Sequence, residues 1–106
     1  MNKILYNVTI IIDERIANEW KEWMLNTHIP DVMSTGFFES YKLSKMLSGE
    51  SEGGVTYAIQ YIANNMDALK NYQAGPALKL QAEHSNRYAN KFAAFRSMLE
   101  VMSESV

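Results

Sequence analysis

Two histidines are the residues of this chain whose side chains titrate near neutral pH. The sequence has no cysteine, so His28 and His84 are the first candidates for moving a proton at pH 7. His28 follows Met24 by four residues, which places it on the apolar face of a predicted helix. His84 lies four residues from both Leu80 and Tyr88, a spacing that also predicts the inner face of a helix. We therefore expect both imidazoles to point inward, each from a different helix.

Each histidine also has a purely structural interpretation. At the end of a helix, His28 would bond the last carbonyls, and an imidazolium there is favoured by up to about 1 kcal/mol. His84 would be a core residue whose hydrogen bonds are satisfied. A metal site is not supported, because zinc needs a third ligand and Glu83 lies about 100° from His84 around an ideal helix. The sequence leaves the structural and the functional interpretations open.

Polar side chains also occur in segments that otherwise have the pattern of buried strands: Asn7, Thr9, Thr56, Gln60 and Arg96. Buried polar groups need hydrogen-bond partners. They either bond one another across a subunit interface, which is the interpretation we favour, or they line a pocket for a small ligand. Such a pocket would lie between the helices and the sheet. The candidate ligand-binding residues are the two imidazoles, aromatic side chains and two of these polar groups: His28, His84, Asn7, Trp23, Tyr57 and Arg96.

The neighbouring tryptophans have a simpler interpretation. Trp20, Trp23 and Met24 lie together on the apolar face of the first predicted helix. Large aromatic side chains dominate protein cores, so we predict core packing here rather than a platform for a flat ligand.

Composition limits the classes of function. The 106 residues are 47% hydrophobic and 21% charged, which predicts one globular domain over residues 1–106. The net charge is −2 and the basic residues are scattered, so we predict no nucleic-acid partner. The absence of cysteine excludes disulfides, thiol catalysis and thiolate metal sites.

The apolar run at residues 4–12 is interpreted as a buried strand rather than a targeting or membrane segment. It is too short to cross a bilayer, and Asn7 and Thr9 interrupt it. No cleavage site with small residues follows it. We therefore expect a cytoplasmic protein with no membrane partner.

The order of the elements predicts the fold. Strands are predicted at residues 4–12, 37–47, 55–62 and 92–101. A first helix follows an Asp13 cap and ends at Pro30, with a short further turn that Gly36 closes. The polar segment 48–54 is typical of a hairpin connection.

The second helical region begins at Asn64 or Asn65 and is divided at Gly75-Pro76. The resulting order, β-α-β-β-α-β, predicts a ferredoxin-like α+β fold with a four-stranded antiparallel sheet and its helices on one face. Both alternate sets of side chains in the strands are largely apolar, although the helices can cover only one face. A second copy of the chain would cover the other, which predicts a homodimer and a dimeric α/β barrel.

Several segments carry a resemblance to a known family: Tyr6-Asn7-Val8-Thr9, Trp20-x-x-Trp23-Met24-x-x-x-His28-Ile29-Pro30, Thr35-Gly36-x-Phe38, Gly54-Val55-Thr56-Tyr57-Ala58-x-Gln60-Tyr61, Ala82-Glu83-His84 and Phe95-Arg96-x-x-Leu99-Glu100. Over nearly its whole length the chain resembles an uncharacterised bacterial domain-of-unknown-function family of Bacteroidetes type. The resemblance implies the dimeric α/β barrel superfamily, which includes haem-degrading and quinone-forming monooxygenases, isomerases and stress-response proteins. It implies no established activity.

Three functions remain open on this basis. The chain is a homodimer that binds or transforms a small molecule, a cofactorless or haem-dependent monooxygenase, or a structural or regulatory dimer without a ligand. Haem-degrading relatives combine an asparagine on the first strand, a tryptophan and a helical histidine, which the resemblance carries to Asn7 and His84. Both tryptophans lie in the first half of the chain, which argues against haem degradation. The cofactor, if any, stays unassigned.

Overall fold

The computed structural model describes residues 2–49 and 52–105. One antiparallel sheet holds the four strands in the order β2-β3-β1-β4: β1 Ile4–Asp13, β2 Phe38–Lys45, β3 Gly54–Ala63 and β4 Phe92–Glu100. The α-helices are α1 Ala17–Trp23, α2 Ile29–Ser34, α3 Met66–Ala74 and α4 Pro76–Arg87. The predicted ferredoxin-like sheet is confirmed. Each strand begins and ends within two residues of its predicted limits.

The alternation along β1 separates the two faces of the sheet. Tyr6, Ile10 and Ile12 are 3%, 3% and 0% exposed and belong to the core under the helices. From the helical layer, Trp20 and Leu69 pack into the same core and are fully buried. Side chains two residues apart on a strand share a face, so the register of β1 decides which residues meet the helices.

No helix among the described residues covers the opposite side of the sheet, which we call the open sheet face. Phe95 is 60% exposed and Leu99 is 49% exposed, although both are large apolar residues on a strand. Residues directly opposite in antiparallel strands share a face. The pairings of β1 with β3 and with β4 therefore put these residues on the open sheet face: Leu5, Asn7, Thr9, Ile11, Thr56, Ala58, Gln60, Ile62, Phe95 and Leu99. The predicted two-sided apolar pattern is present.

The first helical region departs from its prediction at Pro30. Asp13 caps the region as predicted, since its carboxylate accepts a bond from the Arg15 backbone N–H at 2.9 Å. The helix does not end at Pro30, however. A π-helical turn, Met24–His28, joins α1 directly to α2, and the Ile29 N–H bonds the Met24 carbonyl. Pro30 therefore lies inside a continuous helical region, at the start of α2, and it has no N–H to donate to a carbonyl of the preceding turn.

The remaining connections follow the sequence closely. Gly36 has a φ of 81° and its N–H bonds the Met33 carbonyl, so it ends α2 as predicted. The Asn65 side chain caps α3 by accepting from the Ala68 N–H at 2.9 Å. Gly75 separates α3 from α4, and Pro76 begins α4.

Part of the predicted hairpin connection 48–54 lies outside the described residues, namely Glu50 and Ser51. Within the described ranges, no helix is both long enough and apolar enough to cross a membrane.

Candidate functional site

The two histidines meet in a buried aromatic cluster between the helices. The ring centroids of His28 and His84 are 5.7 Å apart, and Trp23 stacks on His28 at 5.2 Å. His84 is 5% exposed, and its Nε2 accepts a hydrogen bond from Trp20 Nε1–H at 2.9 Å. Because Nε2 is an acceptor, the neutral imidazole carries its proton on Nδ1. The prediction that both imidazoles point inward is confirmed.

Both imidazoles are neutral at pH 7. Burial lowers the pKa of His28 to about 4, opposed by the negative charge of Asp31 and assisted by the positive charge of Arg96. Burial also lowers the pKa of His84 to about 4, with smaller contributions from His28 and Arg96. For both rings, the cost of removing a charged imidazolium from water is the largest cause of the lowered pKa.

The prediction that His28 caps a helix C-terminus is wrong. His28 is the last residue of the π-helical turn and lies inside helical structure that continues to Ser34. The carbonyls around it are therefore not free helix ends. Its Nδ1 is buried and has no hydrogen-bond partner among the described residues.

An ionic arrangement on the outside of the cluster connects α1 to α4. Tyr88 Oη–H donates to Glu19 Oε2 at 2.8 Å, and Arg87 Nη2 donates to Glu19 Oε1 at 2.7 Å. The Arg87 guanidinium also lies 5.3 Å from the centre of the Trp23 ring, within cation–π range. These contacts close the histidine cluster on its outer side. Arg87 and Glu19 are 68 positions apart in the sequence, so local sequence patterns do not indicate this pairing.

A separate cleft lies between the helical layer and the edge strand β4 and has a volume of about 450 Å³. We call it the β4 cleft, and these residues line it: Tyr6, Gln73, Ala77, Leu78, Gln81, Arg96, Ser97 and Met98. Small-ligand sites usually measure about 300–1,000 Å³ and combine apolar walls with a few polar groups. The β4 cleft has both properties.

Three polar groups converge in the β4 cleft. Tyr6 is 3% exposed, yet it borders the cleft together with Gln81 and Arg96. Burial raises the pKa of Tyr6, whereas the charge and hydrogen bonding of Arg96 and the hydrogen bonding of Gln81 act in the opposite direction. The Tyr6 hydroxyl is therefore protonated at neutral pH and lies close to a guanidinium and an amide.

Strand register decides the face on which Arg96 lies. Arg96 is directly opposite Val8 in the β1–β4 ladder, so it shares the helix-facing side with Tyr6. Asn7, which we grouped with Arg96, lies on the open sheet face with Thr56 and Gln60, and its Nδ2 donates to Thr9 Oγ1 at 3.0 Å. The set of polar strand residues is therefore divided between two faces.

Tyr57 and Trp23 are placed near the histidines rather than in the β4 cleft. The Tyr57 ring lies 4.8 Å from the Trp20 ring and is 6% exposed. Tyr57 also borders a shallow groove between α1 and β2 that carries Lys21 and Lys42. Of the six candidate residues, the structure brings together His28, His84 and Trp23 and places Tyr57 against their neighbour Trp20. Arg96 lies in the β4 cleft and Asn7 on the open sheet face.

Sequence analysis did not single out Tyr6 and Gln81. One signal for Gln81 was present: it follows Ala77 by four residues and precedes His84 by three, so a polar side chain occupies an inward helical position. Tyr6 had no such signal, because a strand tyrosine among apolar residues has the pattern of a core residue. No group of three or more potential metal ligands occurs within residues 2–49 and 52–105.

Solved structures share this fold over nearly the whole chain. SnoaB, a cofactor-independent oxygenase from Streptomyces nogalater, has a TM-score of 0.72 at 10% identity, covering 98% of this chain and 97% of that one. The haem degrader MhuD from Mycobacterium tuberculosis, solved with two haems in its active site, gives 0.73 at 18% identity, with 97% and 99% covered. A dimeric ferredoxin-like protein from an uncultured marine organism gives 0.61 at 10% identity, with 99% and 100% covered. The chain thus has the fold of the dimeric α+β barrel proteins.

The sequence also identifies the family. The family described as "Domain of unknown function (DUF4286)" matches residues 3–102. The chain belongs to this family, which confirms the predicted resemblance to a family without an assigned activity. No curated protein matches the sequence.

Proposed function

We propose that the protein is a homodimer that binds a small molecule, and acts on it, in the β4 cleft. The observation that carries the proposal is the convergence of Tyr6, Gln81 and Arg96 on a cleft of about 450 Å³ that Ala77, Leu78 and Met98 also line. Arg96 is exposed at the cleft, and the buried Tyr6 borders the same space. Polar groups that converge beside apolar side chains are the usual composition of a ligand site.

The homodimer is supported by the open sheet face. Large apolar side chains remain exposed on it, including Phe95 at 60% and Leu99 at 49%. One relative in fold is a dimeric ferredoxin-like protein. A second copy packed on this face would remove these side chains from water and leave the β4 cleft on the opposite side of the sheet.

A cofactor-independent oxygenase is the second candidate function. SnoaB has this activity and the same fold, but at 10% identity the likeness extends only to the fold. The supporting observation in this chain is again Arg96 beside Tyr6, since fixed hydrogen-bond donors and positive charge stabilise an anion that develops on a bound substrate. This alternative therefore uses the same cleft.

The residues present do not fit an axial haem ligand. His84 Nε2, the nitrogen that would have to bind iron, already accepts the Trp20 Nε1–H bond at 2.9 Å. Neither His84 nor His28 borders the β4 cleft. A haem-dependent version of the oxygenase would need a different arrangement of these side chains.

A ligand screen by NMR tests the proposed site. Small aromatic fragments should shift the amide signals of Tyr6, Gln81 and Met98 in the wild-type protein. Leu78→Trp should abolish the shifts, because Leu78 borders the cleft, is 70% exposed and can take a larger side chain that fills it. Leu47→Trp is the matched control, since Leu47 is 93% exposed and lies away from the cleft. Shifts that persist in Leu78→Trp, or no shifts with any fragment, would contradict the proposal and favour a dimer without a ligand.

A further inference from the structure

Positive charge is not neutralised in the β4 cleft. Arg96 is the charged residue among those that border it, and no carboxylate does. Within the described residues, the three ion pairs join other side chains and leave Arg96 without an acidic partner. Burial raises the pKa of Tyr72 to about 12 and also raises that of Tyr6; the positive charge of Arg96 opposes both shifts, so its field reaches beyond the mouth of the cleft.

The neighbouring groups add hydrogen-bond donors to this charge. The Tyr6 hydroxyl is protonated, because burial raises its pKa, and it can donate into the cleft. The Gln81 side-chain amide supplies two further N–H groups and borders the same space. A guanidinium presents its N–H groups in a planar fork that matches the two oxygens of a carboxylate.

Apolar side chains form part of the cleft, which Gln73 and Ser97 also border. Ala77 is buried at 2% exposure and lies beneath it, whereas Leu78 and Met98 remain 70% and 53% exposed at its edge. Exposed large apolar side chains around a concave surface are a feature of binding sites. A ligand that contacts both the hydrogen-bond donors and the apolar side chains of the cleft therefore has one anionic end and an apolar body.

We propose that the β4 cleft selects small carboxylates with an apolar body, such as aryl carboxylates, through Arg96, Tyr6 and Gln81. This inference rests on the proposed ligand site and adds the chemical class of the ligand. The carboxylate accepts from the Arg96 fork and from the Tyr6 hydroxyl, and the apolar body packs on Leu78 and Met98. Because Arg96 is exposed, the bound carboxylate replaces water as the partner of its guanidinium.

Three probes of matched shape test the class of ligand in wild-type protein: 2-naphthoate, its neutral amide 2-naphthamide and the cation 2-naphthylmethylammonium. Titration calorimetry should give a Kd for 2-naphthoate about 10- to 100-fold lower than for 2-naphthamide, the usual range for a hydrogen bond to a charged group. The cation should bind least well. Equal binding of 2-naphthoate and 2-naphthamide in the cleft would overturn the carboxylate assignment and leave the ligand site itself intact.

Variants identify the groups responsible. Arg96→Met should reduce the preference for 2-naphthoate over 2-naphthamide to about twofold or less, because methionine keeps an apolar side chain of similar length but has no guanidinium to bind the carboxylate. Tyr6→Phe should weaken 2-naphthoate binding about fivefold with little effect on the amide. Lys42→Met, on β2 outside the cleft, is the control for general loss of positive charge and should keep the preference.

The failures of the two proposals are distinguishable. If none of the three probes shifts the NMR signals of the cleft, both the site and the ligand class are wrong. If Arg96→Met does not fold, Arg96→Lys serves instead and should keep the charge but lose much of the preference, since an ammonium cannot bind in a bidentate manner. An unchanged preference in Arg96→Lys and in Tyr6→Phe would overturn the proposal.

Discussion

At the scale of single residues, the hydrogen bond from Trp20 to His84 determines what the histidines can do. It occupies Nε2 of His84 and fixes the tautomer with the proton on Nδ1. His28 approaches from the π-helical turn with a buried Nδ1 that has no partner in the described part of the chain. These two rings are therefore neutral groups in an aromatic cluster, and protonation of either would disrupt its packing.

This arrangement predicts a loss of stability in mild acid. The pKa of each folded imidazole, about 4, lies below the ordinary value of 6.5, so the unfolded chain takes up these protons first as the pH falls. The stabilisation should be complete above pH 6.5, decline towards pH 4 and change little below it. We expect a loss on the order of 2 kcal/mol between pH 7 and pH 4.5, after allowing for partial exposure and coupling of the rings.

Urea unfolding at several pH values measures this effect. His84→Gln, whose amide oxygen can still accept from Trp20, should remove a large part of the pH dependence. His28→Gln combined with it should remove nearly all of the dependence between pH 6.5 and pH 4. A wild-type free energy of unfolding that stays constant over this interval would show that the imidazoles are already protonated or solvated in the folded state.

Among the elements, strand β4 contributes to both the β4 cleft and the open sheet face, because its successive side chains point to opposite sides of the sheet. Arg96 lies on the helix-facing side and borders the β4 cleft, whereas its neighbour Phe95 lies on the open sheet face. We grouped Asn7 and Arg96 as polar residues that assist assembly. The register of β1 with β4 supports that role only for Asn7 and its neighbours on the open sheet face.

This separation can be measured by association. Asn7→Leu should weaken the dimer by about 1 kcal/mol, because the Thr9 hydroxyl, which water can reach in the monomer, would be buried in the dimer without the bond it accepts from Asn7 of its own chain. Arg96→Met should leave both the dimer Kd and the free energy of unfolding within about 1 kcal/mol of wild type. Sedimentation equilibrium gives the Kd. A larger effect of Arg96→Met than of Asn7→Leu would mean that Arg96 belongs to the interface after all.

For the whole molecule, we expect the open sheet face to be buried in the interface of a homodimer. Obligate interfaces commonly bury upwards of about 2,000 Å² in total, and exposed residues such as Phe95 and Leu99 would contribute to such an area. Light scattering at micromolar concentration should give about twice the chain mass of 12.1 kDa. Phe95→Glu should shift the protein towards the monomer by placing a charge on this face.

The control for this experiment is Leu78→Glu, at an apolar position on α4 that is 70% exposed and lies away from the open sheet face. It should leave the dimer unchanged. A wild-type protein that scatters as a monomer at these concentrations would contradict both the homodimer and the barrel.

The sequence by itself determined the order of the elements and the two-sided apolar character of the strands. These properties follow from local patterns: period-two alternation in strands, period-3.6 spacing in helices and short-range signals such as the Asn65 cap and the Gly75-Pro76 break. The inward direction of His28 and His84 was predictable for the same reason. The continuation of the first helix through Pro30 was not, because a π-helical turn has no reliable sequence pattern.

Only the tertiary structure decided where the polar side chains meet. The Trp20–His84 bond joins residues 64 positions apart, and the β4 cleft combines Tyr6 from β1, Gln81 from α4 and Arg96 from β4. The face that Arg96 takes depends on its pairing with Val8, and a shift of one residue would move it to the open sheet face. That register is set by packing between distant segments, so the local sequence of β4 could not specify it.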